Sequence, residues 1–120
     1  MNRTARVAKV GALVVAVAIS FVAGRVFAQD VKVQRGVKVY EEQKCSVCHS
    51  IGGKGNQKGL LDGVGAKLKA DEIKAWITTP KEMTAKTKAE RKPPMRTYPN
   101  LPAEDVDALV AYLLSLKSKS

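Results

Sequence analysis

Two cysteines, Cys45 and Cys48, stand three positions apart, and His49 follows the second at once. The pentapeptide Cys-Ser-Val-Cys-His is the attachment pattern of a c-type haem. On a helix the two thiols share a face, and that spacing lets each add to one of the two vinyl groups of a single porphyrin. His49 then falls beneath the ring, where it can bind the iron from the proximal side. Three other uses of the same residues compete. A structural zinc site takes four ligands. With two Cys and one His in the whole chain, carboxylates would have to complete it. A thioredoxin-like dithiol belongs beside a βαβ pattern, and none surrounds Cys45. A plain disulfide suits an exported protein but leaves His49 without a role.

Export is written into the first 28 residues. Arg3, Arg6 and Lys9 form a basic n-region, Val10 to Ala23 carries no charge, and Val26-Phe27-Ala28 ends in small residues at −3 and −1. This is the pattern of a signal peptide, so residues 1–28 are expected to be cleaved and 29–120 to form one domain. The alternative is an uncleaved membrane anchor. A spanning helix takes about 20 apolar residues, and Arg25 closes this run early. The expected location is the periplasm of a bacterium, where a thiol-bearing chain can acquire a covalent cofactor after export. A remaining domain of this length buries little core, and a covalently held haem makes up the deficit as a large apolar body.

The formal charge of +10 overstates the mature protein. Without Arg3, Arg6, Lys9 and Arg25 the 21 basic residues fall to 17 against 11 acidic, a net +6. Such a surface suits an acidic partner. Nucleic acid is excluded by the export signal and by the scarcity of aromatics among the lysines. Contact with a membrane is expected only through partners or an uncleaved N-terminal segment.

The rest of the chain reads as helices and loops. Val33, Val37 and Tyr40 recur at helical spacing with Gly36 on the same face, which predicts a helix from about Val31 into the Cys-Ser-Val-Cys-His turn. Six glycines between 52 and 65 read as loop folded over the haem edge. Asp71 to Ile77 predicts a short helix with Pro80 beyond its end. Residues 81–92 are lysine-rich and weakly patterned, and four prolines stiffen the segment around Met95. Val106, Leu109, Val110, Leu113 and Leu114 mark a last helix. Pro102 suits its first turn, and acidic residues near its start and Lys117 and Lys119 at its end complement its dipole. No strand is expected.

Three separated blocks resemble a class I monohaem cytochrome c. They are Gly36-x-x-x-Tyr40 leading into Cys45-x-x-Cys48-His49, Trp76-Ile77-x-x-Pro80, and Met95 followed by Tyr98, Leu101 and the Asp107–Leu113 run. The likeness covers about residues 33–117. It implies an all-α fold, the small cytochrome c fold, with helices packed around one covalently bound haem c. It implies an N-terminal helix crossing the C-terminal one at Gly36, with Tyr112 against it. It also implies His49 and a distal Met as axial ligands, and single-electron transfer. Met95 occupies the position where the family carries its sulfur ligand, whereas Met83 lies in the lysine-rich segment. Core packing is the alternative for either. The family's Gly-Pro after the haem motif, whose carbonyl accepts the proximal His Nδ1–H, is Gly59-Leu60 here. A backbone carbonyl without proline still serves as acceptor.

With both axial positions filled, the expected function is a carrier rather than an enzyme, shuttling electrons between periplasmic or membrane-bound redox partners. A thioether ligand raises the potential. The alternatives are a haem subunit of a larger oxidoreductase, or a haem enzyme or gas-binding protein with a labile distal ligand. Trp76 and Tyr98 are candidates for hydrogen bonds to haem propionates, against ordinary burial of their rings.

Overall fold

The computed structural model describes residues 24–118. Most of the expected signal peptide, and Lys119, lie outside those residues. The chain divides into two units, Met1–Val31 and Lys32–Ser120. Residues 24–31 are helical and exposed, and among the described residues no helix is long and apolar enough to cross a membrane. The second unit holds the buried core and every candidate site residue.

Helix α1 covers 32–42 of that unit. Its inward face is Gly36, Val39 and Tyr40, which are buried, while Val33 and Val37 are only half-buried. The expected stripe is therefore rotated by one position toward Val39. The helix also stops short of the cysteines. Lys44 takes a left-handed conformation (φ 54°), and a separate 3-10 turn, Cys45–Val47, follows.

A short antiparallel hairpin comes next, β1 Ser50–Ile51 with β2 Lys54–Gly55. This corrects the expectation of no strand. Gly52 (φ 58°) and Gly53 (φ 76°) form its corner, and two successive positive φ angles are what a tight type I′ connection demands. The Gly-Gly pair was the available signal, masked by the glycine density around it.

Helices α2 Val64–Lys67 and α3 Ala70–Thr78 both pack on the last helix. The Glu72 carboxylate accepts the Lys69 N–H at 2.9 Å, which closes the start of α3. Pro80 does lie beyond the end of α3, but it also opens a further helix, α4 Pro80–Thr87. Pro at the first helical position loses no hydrogen bond. This helix left no stripe in the sequence because it is almost all surface: Pro80 is its one buried residue.

Helix α5, Ala103–Ser115, forms the centre of the core. Val106, Ala108, Leu109, Val110, Ala111 and Leu113 are all buried. A helix buried over so much of its circumference is covered on several sides. On one side α1 comes so close that a Cβ on Gly36 would stand 2.6 Å from Tyr112 Cβ and 2.8 Å from the Ala108 carbonyl carbon. On another, a Cβ on Gly65 of α2 would stand 2.6 Å from the Leu114 carbonyl carbon. Lys117 Nζ donates to the Gly65 carbonyl at 2.7 Å and ties the end of α5 there.

The rings of Tyr40 and Tyr112 meet edge to face, 6.0 Å between centroids at 78°, a contact worth about 0.5–1.5 kcal/mol beyond burial. Arg35 pairs with Asp105 at 2.7 Å and Glu104 at 3.4 Å beside that contact. Arg35 and Glu104 are exposed and Asp105 partly so, so solvent screens the ions, and glycine contact and ring packing hold the helix pair more than charge does. A Gly36→Ala substitution should therefore cost about 1–3 kcal/mol by overpacking. Urea midpoints of wild type and variant measure this, and an unchanged midpoint would refute the close approach.

Candidate functional site

The core elements line an open apolar cleft of about 280 Å³. That is more room than a single ion needs, and its lining is apolar, as in sites that take an organic group. Ile73, Trp76 and Ile77 of α3 form one wall, and Leu109 and Leu113 of α5 another. Leu61, Val64 and Leu68 close a side, and Tyr40 contributes from α1. The sulfur-bearing groups and the imidazole come from two loops. One supplies Cys45, Cys48 and His49; the other supplies Met95.

In the first loop, the 3-10 turn brings positions i and i+3 into line, so the two cysteines share a side without an α-helix. Both are free thiols, Cys45 buried and Cys48 partly so. Burial pushes the Cys45 thiol up, against the opposing influence of Tyr98 and Arg96, and keeps it protonated.

The His49 ring is oriented from behind: Nδ1 lies 3.2 Å from the Gly59 carbonyl. A carbonyl can only accept, so Nδ1 carries the proton and Nε2 is left with its lone pair. Burial lowers the His49 pKa, the Gly59 bond partly offsets this, and the Arg91 charge lowers it further. The neutral imidazole is the form that binds a metal. The acceptor is thus Gly59 and not Leu60, which is 64% exposed.

Glycine is what lets the loop fold back here. A Cβ on Gly55 (φ 104°) would press on the His49 and Ser46 carbonyl oxygens. A Cβ on Gly59 would press on the Cys48 carbonyl oxygen and the Arg91 guanidinium.

The two methionines are separated by the fold. Met95 is half-buried, packs on the core and lines the cleft. Met83 is half-buried on α4 and does not line it. Of the two propionate candidates, Trp76 lines the cleft. Tyr98 stands apart from the lining. Its ring lies under Arg96, 5.8 Å from the guanidinium carbon, and its hydroxyl faces Arg96 and Cys45.

Sequence reasoning missed two groups at the cleft. Arg91 lines it and donates from Nη2 to the Cys48 carbonyl. Nothing in a lysine-rich stretch distinguished this cation. Tyr40 belongs to the predicted stripe, but helical spacing gives no sign that its hydroxyl is buried without a hydrogen-bond partner among the described residues.

The cytochrome c profile matches residues 33–117, most of the chain. The chain belongs to the cytochrome c family. Cytochrome c oxidase subunit 2 of Alkalihalophilus pseudofirmus is 32% identical over 92 residues, covering 69% of this chain and 25% of the relative. The chain thus spans about a quarter of that relative's length. No solved structure matches it.

The architecture is accordingly the small all-α cytochrome c fold, and the family binds haem c for electron transfer. The cleft fits such a group on its own chemistry. It offers an apolar slot, two free thiols on one side of a turn, and an imidazole with its lone pair kept open. No three His, Cys, Asp or Glu side chains gather as a metal-ion cluster among the described residues.

Burial also pushes the Tyr40 phenol up to about 12. An unfolded phenol ionises near ~10. Between those values the unfolded chain binds fewer protons than the folded one, so this contribution is intact below pH ~10 and is lost as pH rises toward 12. A difference titration between wild type and Tyr40→Phe should reveal one phenol ionising near pH 12. Wild-type stability should also fall more steeply than the variant's above pH ~10. A phenol titrating at its ordinary value would contradict this burial.

Proposed function

We propose that the Lys32–Ser120 unit carries one haem c, bound through Cys45 and Cys48 and ligated by His49 and Met95, and that it transfers single electrons between redox proteins. The supporting observation is that His49 and Met95 line one apolar cleft with both thiols. When bound, haem c supplies a one-electron iron couple. Cys45 and Cys48 would hold the group through thioether links, whose formation would consume no oxidant. The Gly59 carbonyl holds the His49 ring in one tautomer and one orientation. The apolar walls exclude water, and a thioether from Met95 raises the potential. With His49 and Met95 both holding the group, no site would be left for a substrate, and the protein would act as a carrier.

Residues 1–28 are read as an export signal and the working compartment as the periplasm. The partners are read as redox proteins with acidic docking surfaces. Lys54 and Lys58 are exposed in the loop that follows the haem motif. Val47 and Leu60 nearby are 62% and 64% exposed. Such a basic, partly apolar surface suits an acidic partner with an apolar centre. A second reading, a haem subunit of a larger oxidoreductase, is favoured by the likeness to an oxidase subunit. A stable complex at native mass would distinguish it from a free carrier.

Four variants test the site. Cys45→Ala or Cys48→Ala should weaken or abolish haem retention after acid-acetone extraction, and complete release from wild type would refute covalent attachment. Met95→Ala should lower the potential and let carbon monoxide bind the iron, whereas Met83→Ala should cost no more than about 2 kcal/mol of packing. The reverse pattern would make Met83 the ligand.

Docking is tested by the bimolecular electron-transfer rate with an acidic protein. The rate should fall as salt rises. At low salt, Lys54→Glu with Lys58→Glu should slow it roughly tenfold. A rate independent of salt, or identical in the two proteins, would remove these lysines from the docking surface.

A further inference from the structure

His49 and Met95 reach the cleft from segments forty-six residues apart, and Arg91 is one of the side chains that span them. Arg91 lies four positions before Met95. Its Nη2 donates to the Cys48 carbonyl, immediately before His49. Its guanidinium also lies against Gly59, where a Cβ would stand 3.0 Å from Cζ. Gly59 is the residue whose carbonyl orients His49. A single planar cation therefore rests on both backbone segments that fix the imidazole, while its own backbone belongs to the loop that bears Met95.

We infer that Arg91 is a positioning residue, a strut that holds the Met95 loop against the His49 turn and so sets how readily the distal side opens. This rests on the ligand pair proposed above. Three observations favour a built contact over a passing surface arginine. Arg91 lines the cleft although it remains exposed at its margin. The seat exists only because position 59 lacks a side chain. The other arginine of the loop, Arg96, reaches the Gln43 carbonyl only at 3.5 Å, the outer limit of a hydrogen bond. Arg91 is thus the stronger tie. A charge-assisted hydrogen bond of this kind corresponds to at least roughly tenfold in a local opening equilibrium. Lysine does not replace the planar fork, because its ammonium is a point charge on a flexible stem.

The test compares haem-loaded wild type, Arg91→Ala, Arg91→Lys and Lys86→Ala. It reads imidazole affinity of the oxidised protein, the sulfur-to-iron charge-transfer band, and amide hydrogen exchange across 88–101. Arg91→Ala should raise imidazole affinity about tenfold, weaken the sulfur band and speed exchange across 88–101. Its far-ultraviolet circular dichroism should match wild type. Arg91→Lys should recover only part of the difference, and Lys86→Ala, which removes an equal charge from α4, should behave as wild type. Wild-type affinity and exchange in Arg91→Ala would overturn the strut. So would an affinity change without faster exchange, or an equal shift in Lys86→Ala. Absence of the sulfur band from wild type would instead overturn the Met95 assignment. In that case exchange across 88–101 alone decides Arg91: faster in Arg91→Ala upholds the strut, unchanged refutes it.

Discussion

The close approach of backbones to α5 is the constraint on which the rest of the fold depends. Gly36 and Gly65 bring α1 and α2 against the Ala108–Leu114 stretch of that helix, at distances where any Cβ would collide. Because those contacts use backbone rather than side chains, the larger apolar groups of α5 are free to face elsewhere. Leu109 and Leu113 turn into the cleft. Helix α3 sets Ile73, Trp76 and Ile77 around the same space. The domain thus packs its helices tightly against one another at glycines and leaves its apolar side chains around a slot.

The electrostatics of that slot are those of a neutral pocket. Burial keeps the Cys45 thiol protonated and the His49 imidazole uncharged. The cations nearby come from the 88–101 loop and touch backbone: Arg91 the Cys48 carbonyl and Arg96 the Gln43 carbonyl. Charge is held at the margin, where solvent screens it, and the interior stays apolar. Such a site holds a large flat group by contact area and orients it with a few polar atoms.

Much of this was legible in the residue order because it depends on local pattern. The thiol spacing, the period of Val106 to Leu113 and the placement of Gly36 with Tyr40 each speak within a turn or two of helix. What stayed hidden had weak local patterning. Helix α4 buries only Pro80, so its sequence carries no stripe. The β1–β2 hairpin is two residues a side, too short for alternation to register. The share of Val39 in the buried face depends on how α1 is rotated against α5, which one helix alone does not fix.

The sequence by itself determined the haem motif, the helical class and the approach of a glycine face to the last helix, since each arises from side-chain chemistry at short range. Tertiary structure alone decided which carbonyl orients His49, which methionine reaches the cleft and where Arg91 rests. These are contacts between segments ten to forty-six residues apart in the chain. Their geometry depends on how loops without strong propensity fold back once α1, α3 and α5 have packed, and no local preference encodes that outcome.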